Sequence, residues 1–177
     1  MRLAAFAALV LANCAPSAEP DAGPVLLTVF DAGAGAEQSG GALFDRYGLS
    51  GPATGFTGAG LATLGEFEIE TGYPLGADPA RWRGPRLSAV LDAAGAGGAA
   101  ARLTAIDGYQ VTISADEIDA FEPVLATRRG GEPLSLGGLG PAILVWPRGD
   151  DPALAEMNDD RWVWGVIAVE ALEPDDG

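Results

Sequence analysis

The chain has 177 residues, a formal charge of −15 from 25 acidic and 10 basic side chains, no histidine and a single cysteine. That length suits one domain around one substantial core, and one cysteine allows no internal disulfide. An acidic surface repels phosphate backbones, so nucleic acid is excluded as a partner. Without histidine, a serine triad or a zinc site of ordinary type is excluded too.

The chain opens with Arg2, an apolar run Leu3 to Ala12, and the small-residue exit Asn13-Cys14-Ala15-Pro16-Ser17-Ala18. This is the pattern of a signal peptide over residues 1–18, and the apolar run is too short to span a bilayer as a helix. Two outcomes are open. Cleavage near Ala18 gives a periplasmic or secreted protein, whereas cleavage before Cys14 with lipid attached there gives a membrane-anchored lipoprotein. Contact with a membrane is expected only if Cys14 is lipidated.

A leader, a first strand and a Gly/Ala-rich excursion fill residues 19–60. Val25 to Phe30 reads as a strand from its apolar and β-branched content. Asp31 to Gly60 reads as a long surface excursion holding one helical turn around the aromatic island Leu43-Phe44-Asp45-Arg46-Tyr47.

The main domain is expected over 61–172. Leu61 to Leu64 suggests a short helix. Glu66 to Thr71 alternates, placing Phe67 and Ile69 inward and three glutamates outward, as a half-buried strand does. Gly72 to Pro85 reads as a loop carrying Trp82. Leu87, Val90, Leu91 and Ala94 share one helical face, closed by Gly95.

Arg102 to Ile106 and Tyr109 to Ser114 flank Asp107-Gly108, a strong hairpin signal. Ser114-Ala115-Asp116-Glu117 has capping-box spacing and starts a helix to Phe121. A strand is expected from Pro123 to Thr127, a glycine-rich loop from Arg128 to Gly140, and a strand buried on both faces from Ala142 to Trp146. An acidic loop over 148–161, a last strand from Trp162 to Leu172 and an acidic tail at 173–177 complete the chain. These elements predict an α+β fold: a strand-rich single domain of mixed sheet with about seven strands and about three short helices.

Gly95-Ala96-Gly97-Gly98-Ala99-Ala100 matches a dinucleotide-binding string, but it follows a helix and precedes a strand, the reverse of what pyrophosphate binding requires. It reads as a helix cap and linker. Asp150-Asp151 and Asn158-Asp159-Asp160 lack the alternating spacing of a calcium loop and read as solvated acids. Among the aromatics, Trp82 and Tyr109 are expected to line a pocket, and Trp146, Trp162 and Trp164 to serve as core or rim.

The order of these signals resembles the oxidoreductase molybdopterin-binding domain family, whose fold is that of sulfite oxidase. The resemblance rests on Trp82-Arg83-Gly84-Pro85-Arg86-Leu87 with its short helix, and on Asp107-Gly108-Tyr109-Gln110-Val111-Thr112-Ile113. It continues through Val124-Leu125-Ala126, Gly131-Glu132-Pro133-Leu134, Gly140-Pro141, Val145-Trp146-Pro147 and Asp160-Arg161-Trp162-Val163-Trp164. In catalytic relatives a cysteine sulfur ligates the molybdenum of a pterin cofactor. By order along the chain that position falls between the Glu66–Thr71 strand and Trp82, where Thr71, Gly72 and Tyr73 stand instead, and hydroxyls are poor substitutes for a soft thiolate. The family's arginine after Gly-Pro is replaced by Ala142, and the histidine of many relatives is missing. Tyr109 matches the tyrosine that points at the metal in those relatives.

The resemblance therefore implies a candidate pocket of Thr71, Tyr73, Trp82, Tyr109, Arg83 and Arg129, with no metal. Only arginines, among them Arg81, Arg83, Arg86, Arg128, Arg129 and Arg161, are available to hold a pterin phosphate. The expected function is an exported binding or accessory module for a small molecule or a periplasmic protein partner. No cofactor is expected in that reading. The alternative is an oxidoreductase that binds molybdopterin without a cysteine ligand, and a purely structural exported module is the third option.

Overall fold

The structure, a computed structural model, describes residues 23–31 and 41–172. The predicted signal segment 1–18 with Cys14, the first part of the leader and the tail 173–177 lie outside the described residues.

A five-stranded mixed sheet forms the main layer. Its members are β1 (Val25–Asp31), β2 (Ala53–Thr57), β5 (Ala100–Ala105), β6 (Gln110–Ile113) and β11 (Val166–Leu172), in the order β2-β1-β11-β5-β6. Only β1 and β11 run parallel, with Thr28 opposite Ala168 and Phe30 opposite Glu170. The run Val166 to Ala171 is buried throughout, as a central strand covered on both faces must be. Its one charged residue, Glu170, sits opposite Arg102 of β5 and pairs with it, which satisfies the buried carboxylate.

The second layer is smaller. Antiparallel strands β3 (Phe67–Gly72), β4 (Pro79–Gly84), β8 (Arg128–Arg129) and β9 (Glu132–Pro133) make a four-stranded sheet. Strands β7 (Val124–Ala126) and β10 (Ile143–Val145) pair beside it and are fully buried. Gly84 sits where a Cβ would lie 2.1 Å from the Leu125 carbonyl oxygen and 2.8 Å from Ala126 Cα, so β4 and β7 touch backbone to backbone. The layers are joined by one core containing Trp82, Trp146, Trp162, Leu87, Leu91, Leu103 and Ile113. Full burial of a side chain of Leu or Ile size contributes about 2 kcal/mol.

Four α-helices occur among the described residues: α1 (Ala42–Arg46), α2 (Gly58–Thr63), α3 (Leu87–Ala93) and α4 (Ala115–Phe121). The α3 face Leu87, Val90, Leu91 is buried as its periodicity requires, and Gly95 follows it with φ +83°. Ser114 and Glu117 form a reciprocal capping box at α4.

Several expectations need correction. The segment 72–85 is not a loop, because β4 carries Trp82 inward between exposed Arg81 and Arg83. The excursion 31–60 contributes β2 to the main sheet and buries Leu49. The stretch 128–140 contains the short β8–β9 hairpin, and the last strand starts at Val166 rather than Trp162. Phe67 is 38% exposed rather than inward, its ring covered by the Arg86 guanidinium at 4.1 Å. Eleven strands and four α-helices are thus described where about seven and about three were predicted. The added strands are short or glycine-flanked, and their pairing is set by tertiary contacts that local pattern does not carry.

Candidate functional site

Three stretches of chain converge on a cavity of about 340 Å³. The β5–β6 hairpin brings Ala105, Asp107 and Tyr109 to it. Tyr73 arrives from the turn after β3. The segment before β11 supplies Asp159, Asp160, Trp162 and Trp164.

The hairpin is fixed from two sides. At its tip Gly108 has φ +91°, a conformation that favours glycine, and the Tyr109 N–H donates to Asp107 Oδ1 at 3.0 Å. A Cβ at Gly108 would lie 2.8 Å from Tyr47 Cε1, so the Tyr47 ring packs directly on the turn. The Tyr47 hydroxyl donates to the Ile106 carbonyl at 2.7 Å, and Phe44 meets Phe30 edge-on at 5.2 Å. The aromatic island of the excursion therefore buttresses the turn that carries Tyr109.

The opposite wall is also tied down. Asn158 caps a 3-10 turn at Asp159–Arg161 by accepting the Asp160 N–H, and Trp146 donates its indole N–H to the Arg161 carbonyl at 2.9 Å. Arg161 pairs with Glu117, the capping-box residue of α4. Tyr109 closes the ring by donating its hydroxyl to the Asp160 carbonyl at 2.9 Å.

Behind the cavity, Tyr73 stacks on Trp162 with centroids 5.2 Å apart, and the Arg148 guanidinium lies 4.6 Å from the centre of the same indole. Arg148 donates to Asp159 Oδ1 at 2.8 Å and to the Gly72 carbonyl at 3.3 Å. The Leu75 N–H donates to the same carboxylate at 2.9 Å. Burial pushes the Asp159 carboxyl up, but the Arg148 hydrogen bond, the Leu75 N–H and the Arg148 charge outweigh it and hold it below the usual carboxylate range. Tyr73 is raised by burial and by the Asp159 charge, against a smaller opposing effect of Arg148, so its phenol stays protonated. Trp162, itself a wall residue, is buried and its indole N–H has no partner.

Of the residues singled out from sequence, Tyr73 and Tyr109 line this cavity together. Trp82 and Thr71 lie behind it, both buried. The Trp82 indole donates to the Thr71 carbonyl at 3.0 Å, and its ring meets Tyr73 edge-on at 6.5 Å. Trp82 is thus a core residue beneath the site rather than a partner of Tyr109 in lining it. Arg83 pairs with Glu66 and Glu68 on the outer face of the small sheet, and Arg129 lies over the Trp82 ring at 4.8 Å. Asp107, Asp159, Asp160 and Trp164 complete the cavity without having been assigned to one. The signal that could have found them is the interleaving of acids and aromatics in Asp159-Asp160-Arg161-Trp162-Val163-Trp164.

Among the described residues, no group of three or more His, Cys, Asp or Glu is placed to share a metal ion. The residues also do not fit a pterin phosphate. Arg81 and Arg83 pair with Glu68 of β3, Arg86 with Glu122, and Arg161 with Glu117. Arg128 donates to the Gly131 carbonyl, and Arg129, which has no acidic partner among the described residues, lies over the Trp82 ring and is not among the residues lining the cavity. The wall beside Tyr109 presents carboxylates to the space a phosphate would need. No protein-family model matches the chain, and no curated protein matches it.

Proposed function

We propose that this chain is an exported small-molecule binding module, built on a molybdopterin-binding-like α+β domain, with the Tyr73–Tyr109 cavity as its ligand site and no thiolate-ligated metal centre. One observation carries the reading: the cavity is walled by aromatics and carboxylates, with no thiol, imidazole, amine or Ser/Thr hydroxyl among its lining residues. Such a wall can orient a ligand, and the only nucleophilic groups it offers are carboxylates and phenols. Asp159, held ionised by Arg148, is also unsuited to act as a general acid near neutral pH. Export rests on the Arg2 to Ala18 pattern, and no helix among the described residues is long and apolar enough to cross a membrane.

The test is elemental and pterin analysis of protein purified from a host that makes the molybdenum cofactor. Molybdenum and pterin are expected at background, and near-stoichiometric amounts would overturn the reading. Fractionation of cells expressing the full chain tests export. A soluble form cut near Ala18 is expected; an uncleaved cytoplasmic form would overturn export, and a lipid-labelled membrane form abolished by Cys14→Ser would replace soluble release with anchoring.

A further inference from the structure

We propose that the cavity binds an alkylated ammonium ion, as a free small solute. This rests on the binding-module reading above and adds the ligand's chemical class.

Charge is the first argument. Three carboxylates, Asp107, Asp159 and Asp160, face the cavity, and the single guanidinium behind them, Arg148, pairs with Asp159 alone. Asp107 and Asp160 have only hydrogen-bond partners, the Tyr109 N–H and the Asn158 amide. The site therefore keeps an uncompensated negative potential, on a protein whose formal charge is already −15.

Aromatic surface is the second. Tyr109 and Trp164 are 47% and 41% exposed, large for aromatic side chains on a folded domain, and both are among the residues that line the cavity. Exposed aromatic faces beside carboxylates are the elements that attract a weakly hydrated cation. Internal donors already occupy both oxygens of Asp159 and one oxygen each of Asp107 and Asp160. A quaternary or tertiary ammonium, which asks for few or no hydrogen bonds, suits them better than a primary amine.

Size and polarity complete the assignment. A volume of about 340 Å³ lies at the small end of ligand sites and accommodates a trimethylammonium group with a short chain. A phospholipid headgroup would bring its phosphate against Asp107 and Asp160, so the free solute is favoured.

The experiment is isothermal titration and thermal unfolding of the mature chain with choline and with 3,3-dimethylbutan-1-ol, its uncharged isostere. Choline is expected to bind and to raise Tm with concentration, and the isostere to do neither. Trp164→Ala and Asp107→Asn, both at exposed positions that leave the core intact, are each expected to weaken choline binding by about tenfold. Equal binding of the isostere would overturn the cationic assignment while leaving a binding site. No response to choline in protein free of molybdenum would overturn the proposal and leave the absence of a metal centre standing. Pelleting of the protein with phosphatidylcholine vesicles would overturn the free-solute assignment.

Discussion

Asp159 accepts the Leu75 N–H and the Arg148 guanidinium, and Arg148 in turn covers Trp162. One carboxylate thus links the turn after β3 to the segment before β11. Asp159→Asn removes the charge that compensates a buried guanidinium, and a loss of about 2 kcal/mol is expected in denaturant unfolding. The same residue gives a pH dependence. Asp159 and Glu117 both titrate lower in the folded protein than in the unfolded chain, despite the upward push of burial. Their stabilisation is complete above the unfolded carboxylate values near about 4 and is lost as pH falls through the lower folded values. A Tm-against-pH profile should therefore drop on acidification, and Asp159→Asn should flatten that limb; an unchanged limb would contradict the assignment. At this scale the sequence showed which residues carry chemistry but not which face a cavity. Tyr73 and Tyr109 were legible through the family resemblance. Trp164 and Trp162 look alike in sequence, yet one is exposed and the other buried.

Elements were legible where local chemistry decides them. The Ser114–Glu117 box, the α3 apolar face and the Asp107-Gly108 hairpin each follow from a rule acting within a few residues. Ser114→Ala should cost about 1 kcal/mol, read as a fall of a few degrees in Tm. Strand β4 was hidden because its alternation of Ala80, Trp82 and Gly84 against Arg81 and Arg83 sits among glycines and prolines. Gly84, which reads locally as a breaker, is the residue that lets β7 approach. Gly84→Ala forces the Leu125 carbonyl away and should destabilise by about 3 kcal/mol in chemical denaturation. A neutral result would show that β4 and β7 are not in backbone contact. Strand β2, in the small-residue run Ala53–Thr57, gains its identity only by pairing with β1.

Across the whole molecule, β1 joins β11 in parallel, so both ends of the described chain meet in the centre of one sheet. Hydrogen exchange should find the slowest amides in β11 and β5 and fast ones in the exposed β8–β9 hairpin. Uniform protection would contradict this layering. The α+β class and the single small domain were legible from the order of elements. The cavity was not, because it joins residues 73, 105–109 and 159–164, which no local pattern connects. Its position can be mapped directly through the four tryptophan indole N–H signals in a ¹H–¹⁵N spectrum titrated with choline. The indole signals of Trp164 and Trp162 and the Tyr109 amide should move, while those of Trp82 and Trp146 stay fixed. Shifts centred on Arg83 and Arg129, or none at the cavity, would contradict the account.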